Sequence, residues 1–293
     1  MRQKKVRKAI IPAAGFGTRM FPASKTFKKE FFPIVDQDGL AKPVILLIVE
    51  EALSAGIEEI GIIIQNRDKS LFEDFFKTPP IPQLFKKLSL TNRQYSQYLQ
   101  EIGMRITLLF QEEQEGYGHA VYCTQDWINN EPFLLLLGDH IYRSNTEFSC
   151  AKQLIDVYQK FSQSTIGLTI MPEEIIHKAG IVTGNWQERN SLLKITQLSE
   201  KPDLDYARSH LHILGMKDNE FMAIFGMYIL EPEIFDYLGQ EIRGNLRYKQ
   251  EFQLTTCLDK LTQDRGMIGY QIQGQYFDIG MPEFYRQTII DYP

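Results

Sequence analysis

The chain has 293 residues, 43% hydrophobic and 24% charged, with a formal net charge of −5. That length supports a sizeable core, and the mildly acidic balance argues against a general nucleic-acid binder, which needs a basic surface. The 3 cysteines, Cys123, Cys150 and Cys257, are far apart with no CxxC pair, so neither a disulfide framework nor a zinc site is expected. No stretch approaches the length of a membrane span. The basic N-terminus (Arg2, Lys4, Lys5, Arg7, Lys8) precedes an apolar run too short for a signal peptide, so a soluble, cytoplasmic protein is expected.

Strand-like and helix-like patterns alternate along the chain. Residues 9–13 read as a buried strand, and 43–55 as a helix with Pro43 in its first turn and Gly56 as its stop. Residues 57–65, 104–110 and the very apolar 133–137 read as three further strands. Between the second and third strands, residues 69–100 carry Leu84, Phe85, Leu88, Tyr95, Tyr98 and Leu99 at helical spacing, interrupted by Thr78-Pro79-Pro80. This segment reads as a helical insertion, packed on the sheet's edge or reaching a partner subunit. In the second half, 164–171, 191–199, 221–230 and 267–273 read as strands, and 251–262 and 282–290 as helices. No repeat or low-complexity linker interrupts this order. It predicts one continuous α/β domain over residues 1–293, with a nucleotide-binding half to about residue 140 and a substrate-binding half beyond it.

The chemistry starts where the first strand ends. Ala13-Ala14-Gly15-Phe16-Gly17-Thr18-Arg19 lets the backbone approach a ligand, offers bare N–H groups to phosphate oxygens, and ends in a guanidinium fork. It is not a Walker A loop, because Gly17 is followed by Thr18-Arg19 rather than Lys-Ser/Thr. Nor is it a dinucleotide fingerprint: Met20 stands where the third glycine belongs, and the second strand ends in Gln65-Asn66 without a ribose-binding acid. Asp139 and Asp278 each follow apolar residues, where a solitary carboxylate serves a metal or caps a turn; the residues alone leave both open. Lys29 likewise reads either as a phosphate-binding cation or as part of a solvated face with Lys25 and Lys28, and Glu200-Lys201 as a surface pair before Pro202.

Taken together, the loop, Lys29-Glu30, Gln111 with Gly116-Tyr117-Gly118-His119-Ala120, Gly138-Asp139, Gly180-Ile181-Val182, Glu200-Lys201-Pro202, residues 223–230 with Gly226, Glu251-Phe252-Gln253-Leu254-Thr255 and Asp278-Ile279-Gly280 resemble the sugar-1-phosphate nucleotidyltransferases over nearly the whole chain. The resemblance is closest to the branch that makes UDP-glucose and pyrophosphate from UTP and glucose 1-phosphate. It implies a Rossmann-like three-layer α/β/α sandwich with a mostly parallel mixed sheet. It also implies nucleotidyl transfer, in which an anionic sugar-phosphate oxygen attacks the α-phosphorus of a triphosphate.

By the same resemblance, Ala13, Ala14, Gly15, Gly17 and Thr18 hold the nucleotide's phosphates, and Gln111 and Gly116 take the base. Arg19 and Lys29 act catalytically on the charge of the triphosphate. Asp139 and Asp278 hold Mg²⁺, and Gly180, Glu200, Lys201 and Gly226 form the sugar-phosphate site. Homo-oligomers, dimers or tetramers, are common in the family. Two positions depart from its pattern: Lys28 stands where proline is usual, and Glu115 where lysine is common. The alternatives are another pyrimidine triphosphate or sugar, or a non-catalytic nucleotide-sugar-binding regulatory protein. The last would lose the metal carboxylates or the phosphate-binding cations, whereas Arg19, Lys29, Asp139, Lys201 and Asp278 are all present.

Overall fold

Alternation of side chains along the strands sets the layers. In the strand Lys8–Pro12 (β1), Ala9 and Ile11 enter one hydrophobic cluster and Ile10 enters another. The strand Phe133–Leu136 repeats this, with Leu134 and Leu136 on one side and Phe133 and Leu135 on the other. A sheet apolar on both faces must be covered twice. Helices Val44–Ser54 and Cys150–Phe161 cover the first face; Tyr117–Tyr122, Ile234–Arg243 and Leu254–Arg265 cover the second. Each fully buried Ile or Leu contributes roughly 1.5–3 kcal/mol relative to exposure. The computed structural model describes residues 5–248 and 250–292. Arg2 and Lys4 of the basic N-terminus lie outside the described residues.

The remaining strands are Pro33–Val35 (β2), Ala41–Pro43 (β3), Glu59–Ile64 (β4), Ile106–Phe110 (β5), Phe133–Leu136 (β6), His140–Ser144 (β7), Thr165–Pro172 (β8), Gly180–Glu188 (β9), Leu192–Glu200 (β10), Glu220–Leu230 (β11), Met267–Gln271 (β12) and Gly274–Asp278 (β13). One sheet runs β5-β4-β1-β6-β11-β8-β12-β10-β9. β5, β4, β1 and β6 pair in parallel, as do β8 and β12, while β10 and β11 run against their neighbours. The sheet is thus mixed with most strands in one direction, the three-layer arrangement the sequence predicts. Two small antiparallel ribbons, β2–β3 and β7–β13, stand apart from it.

Some boundaries differ from those read in the sequence. Pro43 is extended and caps the first helix from outside. The helix expected from residue 251 starts at Leu254, because Glu251 instead forms a β-bridge with Tyr248. The strand expected over 267–273 ends at Gln271, and the chain re-forms as β13 against β7. The segment expected as an insertion forms helices Lys69–Phe76, Pro82–Phe85 and Leu90–Gly103. Phe72, Phe76 and Ile102 join the cluster of Ile60, Ile62, Ile64 and Ile106, so this segment completes the core at the β4–β5 edge.

Four strands deliver functional loops at their carboxyl ends: β1 to Ala13, β4 to Gln65, β5 to Gln111 and β6 to Gly138. Gly138 lies so close to β1 that a Cβ there would stand 2.1 Å from the Pro12 carbonyl oxygen. Gly138→Ala must push the two strand ends apart. It is expected to cost about 3 kcal/mol or more, measured by urea unfolding; a wild-type midpoint would show that the ends separate freely.

Candidate active site

These loops open onto a cleft of about 1380 Å³ between the two halves of the sheet. Of the residues expected at the site, Ala14, Gly15, Gly17, Thr18, Arg19, Lys29, Gln111, Gly116, Asp139, Gly180, Glu200, Lys201 and Asp278 line it. Two do not. Ala13 is buried behind the loop, its N–H donating to the Ile63 carbonyl at 2.7 Å. Gly226 sits at an irregularity of β11 with φ +91°, and its carbonyl accepts hydrogen bonds from Tyr142 and Leu137. Its role is to let β11 bulge, so that its register against β8 shifts between Ile224 and Tyr228; the left-handed backbone favours a glycine there.

Asp139 follows β6 and Asp278 ends β13. The Ile279 N–H donates to the Asp139 carbonyl at 2.9 Å, which ties the two segments together. Between them, a Cβ added to Gly280 would stand 2.8 Å from Asp139 Oδ2 and 3.0 Å from Asp278 Oδ1. The two carboxylates therefore converge on space that only a glycine leaves open. Two such oxygens, with waters and phosphate oxygens completing the shell, suit Mg²⁺. Among the described residues no set of three or more Cys, His, Asp or Glu side chains forms a cage for a metal.

Asp139 is also the electrostatic centre. Lys29 Nζ lies 2.6 Å from its Oδ2, and His140 Nδ1 lies 3.3 Å from its Oδ1. Burial disfavours the Asp139 carboxylate, but the Lys29 charge and His140 outweigh burial and hold its pKa well below the ordinary range. Burial likewise disfavours the Lys29 ammonium, yet Asp139 and then Glu30 raise its pKa above the ordinary value. Glu30, fully buried beside Lys29 at 4.0 Å, responds the other way: burial pushes it up to about 7 despite Lys29 and Lys28.

The Gln111 amide donates to the Gly116 carbonyl at 3.1 Å and lies 3.2 Å from His119 Nδ1. Gly116 has φ +107°, and a Cβ there would stand 2.7 Å from Glu251 Cβ, so residues 115–118 fold directly onto 251–253. Glu115 pairs with Arg247, whose guanidinium covers the Phe252 ring at 4.1 Å. Farther along the cleft, Glu200 Oε2 accepts from Thr255 Oγ1 at 2.8 Å, Lys201 Nζ lies 3.4 Å from Glu200 Oε1, and a Cβ on Gly180 would meet Ile224 Cδ1 at 2.7 Å.

A nucleotidyl transferase family model matches residues 8–292 of the chain. The chain belongs to the nucleotidyl transferase family. Relatives in that family include the UTP–glucose-1-phosphate uridylyltransferase of Staphylococcus epidermidis, 38% identical over 99% of this chain and 93% of its own length. The enzyme of the same name from Staphylococcus haemolyticus is also 38% identical, with the same coverage. Among solved structures, a UDP-glucose pyrophosphorylase complexed with UDP-glucose superposes with a TM-score of 0.79 at 31% identity, covering 98% of both chains. A UTP-bound enzyme from Acinetobacter baumannii gives 0.78 at 26% identity, covering 98% of this chain and 93% of that one.

Several lining residues of this family member escape the sequence reading. Tyr117 has a hydroxyl without a hydrogen-bond partner among the described residues, and its place between Gly116 and Gly118 was the available signal. Lys178 and Phe284 form a cation–π pair at 4.6 Å, joining residues too distant in sequence to connect beforehand.

A pH test follows from Glu30. Its folded pKa lies above the ordinary carboxylate value, so its contribution to stability is fully present below about pH 4.5 and is lost as pH rises through about 7. Glu30→Gln is expected to flatten part of that decline and to be more stable than wild type above pH 7, by about 3 kcal/mol at most. Glu51, also raised by burial to about 7, supplies the same slope in both proteins. Thermal melting from pH 5 to 8 checks this; parallel curves for the two proteins would contradict it.

Proposed function

We propose that the chain transfers a uridylyl group from UTP to glucose 1-phosphate, releasing pyrophosphate. The observation that carries the reading is the meeting, in one cleft, of the Gly15–Gly17 loop with Arg19, the Asp139 and Asp278 carboxylates, and Glu200 with Lys201. Support for the substrates comes from the relatives named UTP–glucose-1-phosphate uridylyltransferase and from the solved structures holding UDP-glucose and UTP.

Each residue then has a task. The N–H groups of the glycine loop and Thr18 take the triphosphate oxygens, and Arg19 adds a planar charged donor. Gln111 reads the pyrimidine edge, with Gly116 leaving the base close to the backbone. Glu200, fixed by Thr255, accepts from sugar hydroxyls; Gly180 leaves room for the ring, and Lys201 holds the sugar's phosphate. The attacking phosphate oxygen is already anionic, so the site needs no strong general base and works by alignment and charge compensation. Lys29 meets the charge that develops as pyrophosphate leaves. Asp139 and Asp278 would hold Mg²⁺, which when bound offsets triphosphate charge.

Incubation with UTP, glucose 1-phosphate and Mg²⁺ is expected to release pyrophosphate, and a panel of other triphosphates and sugar phosphates is expected to react more slowly. No pyrophosphate with any pair would sink the reading. Asp139→Asn and Asp278→Asn are each expected to lower kcat by about 10³-fold, Asp278→Asn with the melting curve retained and Asp139→Asn with a lower melting temperature because Lys29 loses its partner. Gly280→Ala, which fills the space between the carboxylates, is expected to raise the Mg²⁺ concentration for half-maximal activity at least about tenfold.

A further inference from the structure

The glycine loop is gripped from behind, one residue after another, by the turn that follows β4. The Ala14 carbonyl accepts from Gln65 Nε2 at 2.5 Å. The Gly15 carbonyl accepts from Lys28 Nζ at 3.1 Å, and the same ammonium pairs with Asp68 Oδ2 at 2.7 Å. The Phe16 ring lies 5.0 Å from the Arg67 guanidinium. The Lys28 and Asp68 side chains are only 10% and 14% exposed, so their pair is largely shielded from water. Lys28, Gln65, Arg67 and Asp68 do not line the cleft, whereas Ala14, Gly15 and Phe16 do.

Peptide geometry gives this arrangement a consequence. The 14–15 and 15–16 peptides are trans, so in each the C=O and the next N–H point in opposite directions. Carbonyls 14 and 15 are drawn back toward residues 65–68. The N–H groups of Gly15 and Phe16 therefore point away from that turn, toward the cleft side, and neither has a hydrogen-bond partner among the described residues. Released, either glycine-flanked peptide can flip and present a carbonyl oxygen to an anion instead.

We propose that Lys28, anchored by Asp68, is a positioning residue that fixes the direction of the phosphate-binding amides, and that it acts through the Gly15 carbonyl rather than by touching phosphate. This rests on the uridylyl transfer proposed above. It also assigns the short turn Asn66–Asp68, which leads into the 69–103 helical segment, a task in catalysis: it supplies Asp68 and Arg67 as the fixed side of the grip.

The test is a double-mutant cycle read by steady-state kinetics and by calorimetric binding of UTP alone. Lys28→Met and Asp68→Asn are each expected to raise the KM and Kd for UTP about tenfold, the effect of losing one charge-assisted link. The KM for glucose 1-phosphate is expected to stay at its wild-type value, with the melting temperature lowered by a few degrees, the cost of an unpaired shielded charge. The double variant is expected to be no worse than either single, because both break the same link. Lys28→Arg, which keeps a cation between Gly15 and Asp68, is expected to restore most of the affinity, and Gln65→Met to weaken UTP binding separately. Unchanged or tighter UTP binding in Asp68→Asn would overturn the proposal, since a freed Lys28 would then be reaching phosphate directly. Additive losses in the double variant would do so as well, as would equal rises in both KM values. If the wild type binds UTP but turns over no sugar phosphate, the activity reading fails while the calorimetric arm still decides the grip.

Discussion

The buried charge of Asp139 is the constraint on which the rest of the site depends. A carboxylate withdrawn from water at the end of an apolar strand costs several kcal/mol unless it is paired. Lys29 provides that pairing and is itself withdrawn from water. The solution requires both chain segments to be held in place, because a shift of either leaves an uncompensated charge. β1 and β6 supply that rigidity as adjacent central strands, and the β7–β13 ribbon fixes the far side through the Ile279 to Asp139 hydrogen bond. In the proposed reaction, a substrate that brings phosphate for Lys29, with a cation for Asp139, would replace the internal pairing without leaving either group bare. Glu30 beside them avoids adding a second full negative charge at low pH.

Small residues perform the geometric half of this task. Gly138 brings the backbone of the β6 turn against β1, and Gly280 leaves open the point on which the carboxylates converge. Neither glycine needs a left-handed backbone. Both are demanded by close approach, and each has a partner more than a hundred residues away in sequence, Pro12 for Gly138 and Asp139 for Gly280. Gly226 has the opposite character: its φ is positive, and its service to the site is indirect, through the course of β11.

How much of this was legible in the sequence follows the range of the interactions. The parallel strands and the helices packed on them were legible because period-2 and period-3.6 burial are local patterns. The glycine loop was legible because its residue types state a local backbone need. The β7–β13 ribbon was not, since short strands of mixed polarity acquire meaning only from a partner across the chain. The same holds for Lys28. Beside Lys25 and Lys29 it reads as part of a basic face, and its contact with Asp68 and Gly15 is visible only once β1 and β4 lie side by side. The late start of the Leu254–Arg265 helix has a comparable cause: the pairing of Glu251 with Tyr248 takes precedence over helical spacing.

Glu115 shows how such long-range partners change the meaning of a single residue. In the sequence it stands where lysine is common in the family, an acid in place of a base. In the structure Arg247 pairs with it and holds its pKa below the ordinary carboxylate value, so the pair presents little net charge to the cleft. The same arginine covers Phe252, whose N–H donates to the Glu115 carbonyl and whose carbonyl accepts from the Gly118 N–H. Three residues further on, Thr255 fixes Glu200. Support for the base side and support for the sugar side therefore run through one short segment, residues 251–255. In the proposed transfer, a disturbance anywhere in it would reach both substrates, which is the coupling an in-line reaction needs: the two reacting phosphates must be aligned against each other, and a shared support aligns them better than two independent ones.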